Sequence, residues 1–212
     1  MLRDVIEIAL RSVLVSGLAT LLATAWGIPL SLKLVTEDFR GRKFVLDAFR
    51  ALVGVPTVVV GLALYFLLSK SGPLGGLRLL YTPLAISIGQ AVLITPLLIS
   101  FAYQALEREK KEVWELAMSL GAFDHQASST LLKETAPKLL NASLIAFNRA
   151  IGELGVALML GGNIKGFTRV MTTAIALEVS KGEFGLALSL GGLLLVISYS
   201  ITALSRVIGG RG

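Results

Sequence analysis

Arg149 and Glu153 stand four residues apart inside an otherwise apolar run from Leu139 to Ile164. On a helix that spacing puts both on one face, within reach of mutual neutralisation, although arginine before glutamate is the less favourable order. Either would cost about 2.5 to 3.5 kcal/mol at the centre of a bilayer, so both are expected to face protein or water. Two roles are open to them: an ion pair that holds or gates the structure, within one chain or across a dimer, or direct contact of Arg149 with an anion. Little else could do chemistry. There are no cysteines and one histidine, His125, which excludes a catalytic thiol, a disulfide framework and a thiolate metal site. No Gly-Lys dipeptide occurs, so the chain has no Walker A loop and is not its own P-loop ATPase. No enzyme is expected, and no metal or cofactor held by this chain.

The elements that must position these residues read as membrane spans. Of the 212 residues, 54% are hydrophobic and only 16% charged, where a soluble domain carries roughly a quarter charged. Mean hydropathy is +0.77. Four stretches lack any charge: Ser12 to Leu32, Ala51 to Ser69, Leu79 to Leu106 and Phe184 to Ser205. Each meets the roughly 18 to 20 residues that cross a bilayer as a helix. Leu139 to Ile164 makes a fifth. The fold expected is all-α and transmembrane, one domain over residues 1–212. Arg3 and Arg11 flank an apolar stretch reaching Ala23-Thr24-Ala25, which resembles a cleavable signal. Asp4 and Glu7 weaken that pattern and the apolar run continues to Val35, so a retained span is expected.

Charge sets the orientation. The segment from Lys33 to Arg50 holds five basic residues and that from Glu107 to Lys138 another five, against two between Lys70 and Thr82 and three between Gly162 and Lys181. By the positive-inside rule the first two face the cytoplasm, with the N-terminus outside and the C-terminus, carrying Arg206 and Arg211, inside. The net charge of +6 follows from this topology, and nucleic acid is not expected as a partner. Residues 3 to 11 read as a short lead-in helix in the outer interface. Met171 to Val179 is too short to cross and reads as a re-entrant or interfacial helix, with an external loop helix as the alternative. Pro56 and Pro96 lie inside apolar runs and should kink them. Gly17, Gly61, Gly89, Gly155, Gly161, Gly162, Gly191 and Gly192 suit close helix packing in lipid.

One stretch is amphipathic. Val113, Leu116, Ala117 and Leu120 form one apolar stripe at helical spacing, and Gly121 suits a left-handed helix stop. Asp124 is placed to cap a second helix, with Ala127, Leu131 and Leu132 on its inner side. A cytoplasmic helical hairpin over about 107–136 follows, either self-packed or a docking element. At these residues Glu115-Leu116-Ala117-Met118-Ser119-Leu120-Gly121-Ala122 resembles the E-A-A-x-x-x-G motif of ABC importer permease subunits. The resemblance assigns Glu115, Ala117 and Gly121 to the motif. It makes a second helix near 123–129, with Phe123, Asp124 and His125, the contact with a cytoplasmic ATPase, and Ala122 before it part of the same coupling element. It implies that ATP and Mg are bound by that ATPase subunit. The family's usual proline is displaced to Pro137, which leaves open where the second helix joins the next span.

Further on, Asn148-Arg149-Ala150-Ile151-Gly152-Glu153-Leu154-Gly155 resembles the R-A-x-G-E-x-G segment of molybdate, sulfate and tungstate permeases. Residues 161–169 and 171–178 look most like the tungstate type. The resemblance implies a type I importer permease of five spans in the cytoplasmic (inner) membrane of a prokaryote. It also implies a second copy of the chain and an external substrate-binding protein as partners. Its expected activity is ATP-driven tungstate import by alternating access, with molybdate, sulfate or a small amino acid such as methionine as alternatives. For a tetrahedral dianion, Lys165, Arg169, Thr172 and Thr173 offer two positive charges and two hydroxyls near the outer mouth. A vestibule or gate is one reading of the four; binding of headgroups or of the external protein by Lys165 and Arg169 is the other.

Overall fold

A computed structural model describes residues 2–209, with side chains from Arg3 to Ile208; Arg211, counted in the C-terminal charge, lies outside the described residues. Regular structure among them is entirely helical. The first helix, α1 (Leu2–Thr36), is a single run of 35 residues, about 50 Å at 1.5 Å per residue. The separate lead-in helix expected over residues 3 to 11 is therefore not formed. No glycine or proline occurs before Gly17, so nothing interrupts the helical hydrogen bonds and the charged turns extend the span instead.

The second apolar run is divided between α2 (Arg42–Leu52) and α3 (Thr57–Leu68), which meet at 103°. The expected continuous span from Ala51 to Ser69 is corrected to this bent pair. Pro56 at the start of α3 disfavours helical geometry at the residue before it, and Gly54 weakens the same turn. With 12 residues, α3 is about 18 Å long, short of the roughly 30 Å hydrocarbon layer. After a 3₁₀ turn (Gly75–Leu77), α4 (Pro83–Glu109) starts with Pro83 at its first position, and the Thr82 hydroxyl accepts the Ala85 amide. It runs without a break through Pro96. A π-helical turn (Lys110–Glu115) carries it into α5 (Leu116–Ser119).

After Gly121 the chain reverses into α6 (Asp124–Ile151), 28 residues long and uninterrupted at Pro137. The hairpin is thus the projecting ends of two long helices, and the displaced proline does not separate it from the next span. A 63° bend leads to α7 (Gly155–Gly161), so the fifth apolar run is also a broken one. α8 (Met171–Ser180) and α9 (Phe184–Gly209) complete the described chain. Among the described residues three helices are long and apolar enough to span a membrane, and up to five spans result if each bent pair counts as one.

The centre is a seam of small residues. Ala19 and Ala23 of α1, Ala91 of α4, and Ala142, Ala146 and Ala150 of α6 are buried together with Ile94 and Leu98. Alanines let three backbones approach closely, where lipid offers no hydrophobic drive for association. Polar links cross this seam as well: Ser16 Oγ donates to Gln90 Oε1 (3.1 Å), Gln90 Nε2 donates to the Ala150 carbonyl (3.0 Å), and the Thr24 and Ser143 hydroxyls lie 3.2 Å apart. α7 sits against α3 and α4 on glycine. A Cβ at Gly89 would lie 2.4 Å from Leu160 Cδ1, and one at Gly155 2.7 Å from Thr57 Oγ1.

Candidate functional site

At one end of the bundle stands the hairpin. Gly121 takes φ +89°, its amide donates to the Met118 carbonyl (3.0 Å), and the Ala122 amide donates to that of Ala117 (3.0 Å). Those two bonds close the helix by a glycine C-cap, as Gly121 led one to expect. The cap of the second helix differs. Phe123 holds the N-cap position and its amide donates to Gln126 Oε1 (2.9 Å). Asp124 is instead the first helical residue, where its charge complements the helix dipole. Phe123 and His125 stack at 5.9 Å with planes 9° apart.

The expected apolar stripe does not pack inward as a unit. Val113, with Trp114, packs against Val35, Leu106 and Leu131, while Leu116 and Leu120 face out. The π turn explains this. Its extra residue per turn rotates the following helix away from the face that a continuous α-helix would present. The ammonium of Lys110 fastens the turn, 2.9 Å from the Val35 carbonyl and 5.6 Å from the centre of the Trp114 ring. Ala127 and Leu131 are buried and Leu132 packs beside them. At the tip, Leu120 is 80% exposed and Phe123 69%, with Glu115, Asp124 and His125 exposed around them and Ala117 and Ala122 half-buried.

Deep in the chain, Arg149 Nη1 and Glu153 Oε2 lie 2.7 Å apart. Glu153 is buried at the bend between α6 and α7, and its other oxygen accepts the amides of Gly155 (2.8 Å) and Val156 (3.3 Å). One carboxylate therefore pairs with the last turn of α6 and caps the first of α7, which stabilises the charge by ion pairing and hydrogen bonding together. The pair lies within one chain. Arg149 is 43% exposed at its side chain.

The opposite end carries the other candidate residues. Arg169 Nε donates to Asn163 Oδ1 (3.1 Å), and Lys165 is exposed beside it. Both line a cavity of about 300 Å³ shared with Arg11, Lys181, Asp4, Glu7 and Glu178. Thr172 and Thr173 are buried and turned to other work. Thr172 Oγ1 donates to the Glu153 carbonyl (2.8 Å), while Thr173 Oγ1 accepts the Val170 amide (3.1 Å) and caps α8. Sequence reasoning missed Arg11, whose guanidinium donates to the carbonyls of Arg169 (3.0 Å) and Gly166 (2.9 Å). The only signal was a lone cation at the edge of the first apolar run. Among the described residues no cluster of histidine, aspartate and glutamate is arranged to hold a metal.

The geometry is that of a helical bundle with a hairpin projecting from one end, and known proteins match most of the chain. The tungstate uptake system permease protein TupB of Peptoclostridium acidaminophilum is 39% identical over 201 residues, covering 95% of this chain and 88% of that protein. A probable anion ABC transporter permease protein of Haloferax volcanii is 35% identical over 204 residues, covering 94% and 88%. Among solved structures, an inward-facing form of the MetNI methionine ABC transporter superposes with a TM-score of 0.78 at 16% identity, covering 100% of this chain and 98% of that one. That likeness establishes the type I importer permease fold. Permease subunits of this kind are not enzymes. Residues 23–211 match the family described as binding-protein-dependent transport system inner membrane component, and the chain belongs to that family of multi-pass ABC importer permeases.

Proposed function

We propose that the chain, acting as one permease domain over residues 1–212, carries a tetrahedral oxyanion, tungstate, across the inner membrane in an ATP-driven importer. The observation that carries the coupling role is the exposed tip of Leu120 and Phe123 on a glycine-capped turn between two continuous helices. Exposed apolar side chains on a rigid projection mark a partner surface. The partner is a cytoplasmic ATPase subunit, which binds the ATP and Mg, and Glu115, Ala117, Gly121, Ala122, Phe123, Asp124 and His125 form or support the contact. The basic loops support a cytoplasmic hairpin and C-terminus with the N-terminus outside. A second copy of the chain and an external binding protein complete the transporter.

α6 turns the contact into movement. It runs from Asp124 to Ile151, so a push at the tip reaches Arg149 as a rigid displacement about 38 Å away. The Arg149–Glu153 pair is where that lever meets α7 and, through Thr172, α8. In this reading Arg149 and Glu153 are positioning residues of the gate. Lys165 and Arg169, held with Arg11, form a cationic outer mouth, and the Thr172 and Thr173 hydroxyls shape it from behind.

Molybdate and sulfate share the charge and shape of tungstate, and methionine is the alternative substrate with a different chemistry. The test is uptake into proteoliposomes holding the chain, its ATPase and its binding protein. ATP-dependent entry of tungstate, outcompeting tenfold excesses of sulfate and methionine, is expected; preferential methionine entry overturns the oxyanion reading. Gly121→Val should weaken co-purification of the ATPase while leaving the chain in the membrane. Protease protection of an N-terminal tag from the cytoplasmic side tests the orientation.

A further inference from the structure

A second cavity, of about 370 Å³, opens between α4 and α6 nearer the hairpin, lined by Gln104 and Arg108 on one side and Lys138 and Asn141 on the other, with Phe101 and Ile145 among its apolar walls. Every polar side chain in its lining can donate a hydrogen bond. No carboxylate lines it, unlike the outer cavity, which has three. Among the described residues the exposed side chains of Arg108 and Gln104 have no hydrogen-bond partner in the protein. Asn141 accepts the Ser205 hydroxyl on Oδ1, which leaves its amide hydrogens for the cavity. Glu109 holds the Lys138 ammonium at 2.6 Å from outside the lining, fixing its position while offsetting part of its charge. The volume would hold on the order of ten waters at roughly 30 Å³ each, so an anion entering it keeps much of its hydration.

The cavity is also in line with the bend. Lys138, Asn141, Ile145 and Arg149 are spaced by three, four and four residues on α6, which places them on one helical face. Arg149 stands about 16 Å from Lys138 along that face. From these juxtapositions we infer that the α4–α6 cavity is a weak binding site for a tetrahedral oxyanion group, held by Arg108 and Lys138 and oriented by the amides of Gln104 and Asn141. Given the cytoplasmic hairpin and oxyanion cargo proposed above, on which this inference rests, it is the last site before release into the cytoplasm. Weak binding suits that position: a partly neutralised, hydrated site takes the anion from the bend and lets it go. The same chemistry would accept the phosphate of a lipid headgroup from the inner leaflet.

The experiment uses the nucleotide-free complex of the chain with its ATPase subunit. It is reconstituted in nanodiscs of phosphatidylcholine alone and titrated with radiolabelled tungstate. The binding protein is left out so that it takes no label. Saturable binding that falls at least fivefold in Arg108→Gln, by half or more in Gln104→Leu, and is largely retained in Arg108→Lys supports a free-anion site. A second arm measures phosphatidylglycerol retained through delipidation. No tungstate binding, with at least threefold less retained lipid in Arg108→Gln, assigns the same site to a headgroup. Arg108→Gln behaving as wild type in both arms overturns the inference, provided the complex elutes intact. Uptake separates the two readings: normal tungstate import with Arg108-independent binding removes the cavity site and leaves the transport function standing. Absent import with Arg108-dependent binding or retention does the reverse.

Discussion

Glu153 is bound to Thr172 as well as to Arg149: the Thr172 hydroxyl donates to the Glu153 carbonyl at 2.8 Å, while the Glu153 carboxylate pairs with Arg149 at 2.7 Å. One residue thus joins α6, α7 and α8 at the bend of the chain. The carboxylate supplies both charge compensation and a helix cap, and these two contributions separate under mutation.

Glu153→Gln keeps an acceptor for the Gly155 and Val156 amides and loses the charge. Glu153→Ala loses both. Breaking a buried pair costs about 3 to 5 kcal/mol, and the partial exposure of Arg149 reduces this to about 2 kcal/mol for the glutamine variant. The alanine variant should lose about 1 kcal/mol more for the missing cap. Denaturation of the detergent-solubilised chain checks the order; equal losses in both variants would sink the capping role. In the double variant with Arg149→Gln, the loss should fall below the sum of the singles by at least about 1 kcal/mol.

Gly121 has open space where a Cβ would stand, so substitution there meets no clash and only the cost of its left-handed backbone. Asparagine, which tolerates that conformation, should keep most ATPase binding; valine should cost about 1 to 2 kcal/mol locally and reduce it about tenfold. Pull-down of the ATPase by the two variants measures the difference. Indistinguishable variants would remove the glycine stop from the coupling argument.

Leu120→Ala and Phe123→Ala remove exposed side chains, so folding should be unchanged within about 0.5 kcal/mol. If the tip is an anchor in an ATPase cleft, each truncation should weaken the complex by about 1 to 3 kcal/mol, or roughly 5- to 150-fold in affinity. Titration of ATPase onto the immobilised chain provides the reading. Loss of melting temperature with unchanged affinity is the contrary result.

Gly89 and Gly191 make a matched pair in the helices. A methyl at Gly89 would meet Leu160 and Val156 within 2.5 Å, whereas one at Gly191 meets nothing within 4 Å. Gly89→Ala should destabilise the chain by about 1 to 3 kcal/mol through overpacking, and Gly191→Ala should instead stabilise it by up to about 1 kcal/mol through helix propensity. Thermal unfolding in detergent compares them directly.

Composition, run length and local spacing determined a good deal alone. Charge-free runs of span length require helices in lipid because no other open backbone satisfies its hydrogen bonds there. Gly121 stopped a helix where its periodicity ended, and four-residue spacing sufficed to pair Arg149 with Glu153. These are local properties, set within a few turns of chain. Tertiary structure decided the rest. Arg11 reached Arg169 and Gly166 only because α1 continued as one helix and met the 166–169 turn, a contact across more than 150 residues. The Thr172 hydroxyl went to Glu153 and not to an open mouth because α8 packs against the bend. Leu116 and Leu120 turned outward because a π turn changed the phase between α4 and α5. Side-chain chemistry and period are written in the residues themselves. The direction a face points, and which distant carbonyl fills a hydrogen-bonding demand, depend on how whole helices pack.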